Sequence, residues 1–125
     1  MLKQYTALSV VAPSAERIVQ GQKTLEIRSW QPQTIPLKNL VIVENQHFLR
    51  NEGEQEIGRA LALVDIESIH VWQADEIEAA CASYWAEGYF AWTISNVRPF
   101  SQAISCLAQR KLYTLELDLE GLISN

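Results

Sequence analysis

A lysine, a glutamate and an arginine are spaced along one short stretch, Gly21-Gln22-Lys23-Thr24-Leu25-Glu26-Ile27-Arg28. In an extended backbone successive side chains alternate between faces. Thr24, Glu26 and Arg28 are therefore expected on one face, with Leu25 and Ile27 on the other and Lys23 at the mouth of the strand. Such a face offers definite chemistry. Lys23 and Arg28 can hold a phosphate or a base edge, Arg28 through its planar fork. Glu26 can accept hydrogen bonds or take a proton. The plainer account is ion pairing on a solvated surface, which contributes little.

Aromatic side chains form a second concentration. Five of them lie between Tyr84 and Trp92, in Tyr84-Trp85-Ala86-Glu87-Gly88-Tyr89-Phe90-Ala91-Trp92. A base stacked on an aromatic ring gains ~1–3 kcal/mol in single-strand recognition, whereas core packing is the commoner fate of such rings. Trp30, Tyr89 and Trp92 are the stacking candidates, and Glu87 is a candidate acceptor beside them. Arg98, before Pro99, is a further candidate for a phosphate or base edge, and Arg110-Lys111 is another basic pair. Phosphate-loop, dinucleotide, zinc-protease and nucleophile-elbow patterns are absent. Cys81, Cys106, His47 and His70 lack the spacing of a zinc set, so no metal and no organic cofactor is expected, and both thiols are read as reduced.

The elements that must position these residues follow from periodicity. Tyr5–Val11 is rich in apolar and β-branched residues and reads as a strand. Pro13 to Gln20 reads as a short helix with Ala15, Ile18 and Val19 on one face, stopped by Gly21. Lys23–Trp30 is a half-buried strand, and the uninterrupted Leu40–Glu44 run is a buried one. Ile57–Trp72 reads as a strand bent near Asp65. Gln73–Trp85 places Ile77, Ala80, Cys81 and Tyr84 at helical spacing and is expected as a second helix, with Asp75, Glu76 and Glu78 at its N-terminal end. Tyr89–Val97 and Lys111–Leu119 read as strands, and the tail from Gly121 is expected to fray. The sum is a strand-dominated α+β fold of about six strands and two helices, expected to close into a small mixed β-barrel that removes sheet edges.

The chain has 125 residues, 48% of them hydrophobic and 20% charged. That suits one globular domain over residues 1–125 and excludes disordered and collagen-like classes. No apolar run is long enough to cross a membrane, and Met1–Thr6 lacks the order of a signal peptide, so a cytoplasmic protein is expected. The net charge of −5 is unevenly spread: residues 1–50 hold six Lys and Arg against three Asp and Glu, and residues 51–88 hold one against nine. Bulk charge therefore does not suit a long phosphate backbone, while a small basic pocket suits a nucleotide or a short single strand.

These residues together resemble the ASCH family, small domains of the PUA-like superfamily. Leu8-Ser9-Val10 with Pro13 and Ala15 resembles its first strand and helix. Gly21-x-Lys23-Thr24-x-Glu26-x-Arg28 resembles its G-x-K-T-x-E-x-R signature. Glu87-Gly88-Tyr89 with Ala91-Trp92, and Leu112-Tyr113-x-Leu115, resemble its later segments. The resemblance implies a PUA-like β-barrel with a cleft beside the first helix, a role in RNA metabolism, and Lys23, Glu26, Arg28 and Glu87 in that cleft. Some bacterial members deacylate N(4)-acetylcytidine with a Lys, a Thr three residues on and a Glu after the second helix. Lys23 and Glu87 match the first and last of these, and Glu26 occupies the Thr position.

Three functions follow as expectations. In the first, the protein binds RNA, a nucleotide or a nucleoside through Lys23, Thr24, Glu26, Arg28, Trp30, Glu87, Tyr89, Trp92 and Arg98. In the second it is a metal-independent amidohydrolase on a modified nucleoside, with Glu26 or Glu87 activating water and Lys23 stabilising the oxyanion. In the third, the acidic 51–88 stretch is a protein-interaction surface.

Overall fold

The computed structural model describes residues 1–123. Its elements run β1 (Lys3–Val11), α1 (Ser14–Val19), β2 (Leu25–Arg28), β3 (Leu37–Asn45), β4 (Glu56–Val71), β5 (Phe90–Ala108) and β6 (Leu112–Leu117), with one 3₁₀ turn at Ala74–Glu76. The six strands form one mixed sheet in the order β2-β5-β4-β3-β1-β6. The β1–β3 pair is parallel and the other four pairings are antiparallel.

The Leu40–Val43 run is apolar at every position because β3 is buried on both faces. Leu40 and Ile42 join one core with Leu8, Val10, Val64, Ile66 and Trp92, closed by Ala15 and Ile18 of α1. Val41 and Val43 join a second core on the opposite face with Ala7, Ala60, Leu63 and Leu117. Where β3 and β4 cross near Gly58, a Cβ on that glycine would lie 2.6 Å from the Glu44 carbonyl oxygen, so no side chain fits there. Register shifts in β4 beside Ala62, Asp65 and Ser68 bend it, as expected near Asp65. The bend lets the 19-residue β5 serve two ends of the fold. Phe90–Thr93 pair with β2, and Ile104–Ala108 pair with the start of β4.

Two expectations are corrected. No ladder closes the sheet into a barrel among the described residues; β2 and β6 are its edges. The outer edge of β2 is blunted instead by irregular backbone, since the Thr24 and Leu25 amides donate to the Ala79 carbonyl at 2.9 and 3.2 Å. This contact also explains the second correction. Gln73–Trp85 is not a helix: beyond the 3₁₀ turn it runs through turns, with Cys81 at a φ of 53°. The Ala79 carbonyl serves β2 and the Ala80 carbonyl accepts from Lys23, so neither continues a helical ladder. Of the positions that suggested a helix, Ala80 is buried with Leu25, Trp72 and Ala91 and Ile77 lies against them, while Tyr84 is exposed.

The tail is ordered further than expected. Leu122 and Ile123 pack on the second core, and the Ser101 amide donates to the Leu122 carbonyl at 2.7 Å. Ser124 and Asn125 lie outside the described residues. No helix is long and apolar enough to cross a membrane.

Candidate binding cleft

Ladder pairing between β1 and β6 ends at Leu8–Leu112, and Ser9 to Val11 continue past it. Those residues, β2, the β5–β6 turn and the 80–89 segment line one cleft of about 910 Å³. The cleft lies where the sheet stays open, and a single side chain spans the gap: Arg28 Nη2 of β2 donates to the Ser9 carbonyl of β1 at 2.8 Å. The Ser9 hydroxyl is in turn held at 2.7 Å from the Tyr113 hydroxyl. Burial pushes the Tyr113 phenol up to about 12, so it stays protonated in that contact at any ordinary pH.

The signature stretch supplies the floor. Glu26 and Arg28 share the cleft face of β2, while Leu25 packs behind it, as alternation requires. Arg28 donates through Nε and Nη2 to one oxygen of Glu26, at 2.9 and 2.7 Å. Lys23 Nζ stands 3.5 Å from the other Glu26 oxygen and donates to the Ala80 carbonyl at 2.6 Å. Lys23 and Glu26 are only 6% and 5% exposed, which removes the solvated-surface account of the pair. A buried carboxylate between two cations leaves one positive charge over, facing the cleft.

Further cations join this floor. Arg110 and Lys111 line the same cleft from the β5–β6 turn, and Lys111 Nζ sits 5.7 Å from the centre of the Trp30 ring. Four cations (Lys23, Arg28, Arg110, Lys111) thus meet one acid, Glu26, among the residues lining the cleft of a chain whose net charge is −5. The rim is aromatic: Phe48, Tyr84 and Tyr89 are 69%, 71% and 40% exposed and line the opening. Tyr89 is propped edge-on against Trp72 at 6.5 Å.

The remaining expected site residues lie elsewhere. Thr24 precedes β2, is exposed, and is not among the lining residues. Glu87 is exposed at the surface, also outside the lining set. Trp92 is fully buried in the first core, where it packs edge-on against Trp30 with ring centres 5.0 Å apart. Arg98 is committed to a different network, donating to Asp65 at 2.7 Å and to the Asn39 side chain at 2.6 Å. Sequence reasoning left out Ser9, Phe48, Tyr84, Arg110 and Lys111 as ligand contacts. Arg110-Lys111 stands out in the sequence only as a basic pair and Tyr84 only as one of an aromatic run; proximity in space is what joins them, with Ser9 and Phe48, to the cleft.

Arg98 yields a first prediction. Burial works to raise the Asp65 carboxyl, but the Asn39 amide, the Asn96 side chain and the charges of Arg98 and Lys38 outweigh it, and its pKa is lowered. A lowered folded value means the network's stabilisation is full above the unfolded carboxylate range and is lost as pH falls through the folded value. Arg98→Ala is expected to cost about 2 kcal/mol at neutral pH, as for a hydrogen bond to a charged group. The deficit should begin to shrink as pH falls below the ordinary carboxylate value of about 4 and vanish only below the lowered folded value, with ligand binding in the cleft unchanged. Urea unfolding at neutral and acid pH reads the first two; a deficit independent of pH would contradict the account.

The family model described as ASCH domain matches residues 8–103, from β1 through most of β5, including the Lys23–Glu26–Arg28 floor. The chain belongs to the ASCH domain family. Among curated proteins, none matches it. The match ends before Arg110 and Lys111, so two of the four cleft cations lie outside the matched residues.

Proposed function

We propose that this ASCH protein binds RNA or a nucleotide in the cleft, the whole chain acting as one domain. The observation that carries the reading is the concentration of four cations against one acid in an aromatic-rimmed cleft of an otherwise acidic chain. Phosphate is the anion such a set recognises, and the exposed rings offer stacking faces to bases. The acidic remainder disfavours long duplexes, where affinity comes from many phosphate contacts. Membership of the ASCH family is consistent with RNA binding. The hydrolytic alternative that pairs Lys23 with Glu87 has less support, because Glu87 lies outside the lining residues.

The test is fluorescence polarisation of a short single-stranded RNA with the protein, its Arg28→Ala variant and its Tyr84→Ala variant. Tyr84 is exposed, so its loss should not touch stability. Arg28→Ala is expected to weaken binding at least tenfold, and Tyr84→Ala by about the 1–3 kcal/mol of one lost stack. Log affinity should fall with log salt at about 0.7 per phosphate neutralised. Unaltered affinity in both folded variants would move the ligand out of this cleft.

A further inference from the structure

The β5–β6 turn carries charge that no carboxylate among the described residues answers. Arg110 is half-buried on the cleft wall. Among the described residues its guanidinium has no hydrogen-bond acceptor and no carboxylate partner, although it offers five N–H donors. None of its nitrogens is a buried unpartnered atom, so the fork reaches solvent in the cleft and is open to a ligand. Lys111 next to it is likewise without a carboxylate among the described residues, and its ammonium is kept over the Trp30 ring. The one acid of the cleft cannot serve them: both Glu26 oxygens already face Lys23 and Arg28. Arg110 and Lys111 therefore form a second positive locus on the same cleft, distinct from the floor, where Glu26 offsets one of the two cations.

We infer that the Arg110–Lys111 turn is a phosphate subsite, and that the ligand class is a phosphorylated nucleotide, free or as part of an RNA strand, rather than an uncharged nucleoside. The inference rests on the nucleotide-binding reading of the cleft and names the part of the ligand that reading leaves open. The Arg110 fork matches two phosphate oxygens, and the Lys111 ammonium adds a point charge. A base on the Phe48, Tyr84 and Tyr89 rim leaves its phosphate to reach the turn within the same cleft. A nucleoside fills the aromatic rim and leaves the two cations as they are.

Calorimetric titration with the four ribonucleosides and their 5′-monophosphates, alongside polarisation with the short RNA, tests this on the full chain. The variant is Arg110→Ala/Lys111→Ala, which alters a turn and removes no buried core side chain. In the unmodified protein a monophosphate is expected to bind at least tenfold tighter than its nucleoside. In the double variant that advantage should fall to within about twofold, with nucleoside affinity unchanged. Equal affinity for nucleoside and monophosphate in the unmodified protein would overturn the subsite. So would an advantage that survives the double variant. RNA binding that is lost in Arg28→Ala but intact in the double variant would overturn the subsite and leave the cleft reading standing. Absence of binding to every probe would overturn both.

Discussion

Replacing Glu26 by alanine is expected to destabilise the protein by about 3–5 kcal/mol, the usual cost of leaving a buried ionic partner uncompensated. Glu26 stands between Lys23 and Arg28, and Lys23 is nearly as buried as the carboxylate it faces. Removing the anion leaves two cations at the base of the cleft with little solvent to replace it. In a chain of this size such a loss lowers the melting temperature by roughly 10–20 °C. Glu26→Gln keeps the shape and a hydrogen-bond acceptor for Arg28, so it should lose less than Glu26→Ala. Replacing the whole set, as Lys23→Met/Glu26→Leu/Arg28→Met, removes the charges together. Buried ionic groups exchanged for apolar ones of similar volume are often neutral for stability. The triple variant should therefore regain most of the stability that Glu26→Ala loses, while failing to bind RNA. That outcome would assign the triad to function rather than to folding. A Glu26→Ala variant within 1 kcal/mol of the parent by urea unfolding would show that the buried pairing is not what it is taken to be here.

Trp92→Ala is expected to be of similar size, about 3–5 kcal/mol, for a different reason: it empties a large volume in a close-packed core. Trp92 is fully buried among Leu8, Ile18, Leu40, Ile42, Val64 and Ile66, and Trp30 packs edge-on against it. Loss of the ring also removes the support of Trp30, over which Lys111 sits. The indole N–H of Trp92 has no hydrogen-bond partner among the described residues. Trp92→Phe deletes that unmatched donor along with part of the ring, so its loss should fall well below that of alanine. The exposed rim residues give the contrast. Tyr84→Ala should leave the denaturation midpoint nearly unmoved while weakening RNA binding. A Trp92→Ala variant as stable as the parent would mean that the ring contributes no packing, and would return it to the list of free stacking surfaces.

The difference between Trp92 and Tyr84 shows how far local reasoning reaches. Both stand in the same aromatic run, and composition offers no ground for sending one inward and the other out. Trp92 lies opposite Glu26 and Ile69 in neighbouring ladders, and those pairings place its ring in the core. Tyr84 lies in a segment whose helical spacing is genuine but whose carbonyls are claimed from outside. Ala80 gives its carbonyl to Lys23 across 57 positions of sequence, and that bond both interrupts the expected helix and locks the cleft's buried lysine.

The sequence by itself determined the local units. It placed the short helix, its stop at Gly21 (φ 79°) and the strand that follows, because a left-handed residue and a two-residue alternation are properties of neighbours. It put Glu26 and Arg28 on one face and Leu25 on the other, and it marked β3 as buried on both sides. Those units carried the family. Only the tertiary structure decided that the sheet stays open, that Arg28 bridges the opening to Ser9, and that Arg98 belongs to Asp65 instead of a ligand. It alone brought Arg110 and Lys111 from the far end of the chain to Trp30 and the Lys23 floor. Periodicity records which way a side chain faces. What it meets there depends on strands joined across long loops and on which distant group claims each carbonyl and each charge.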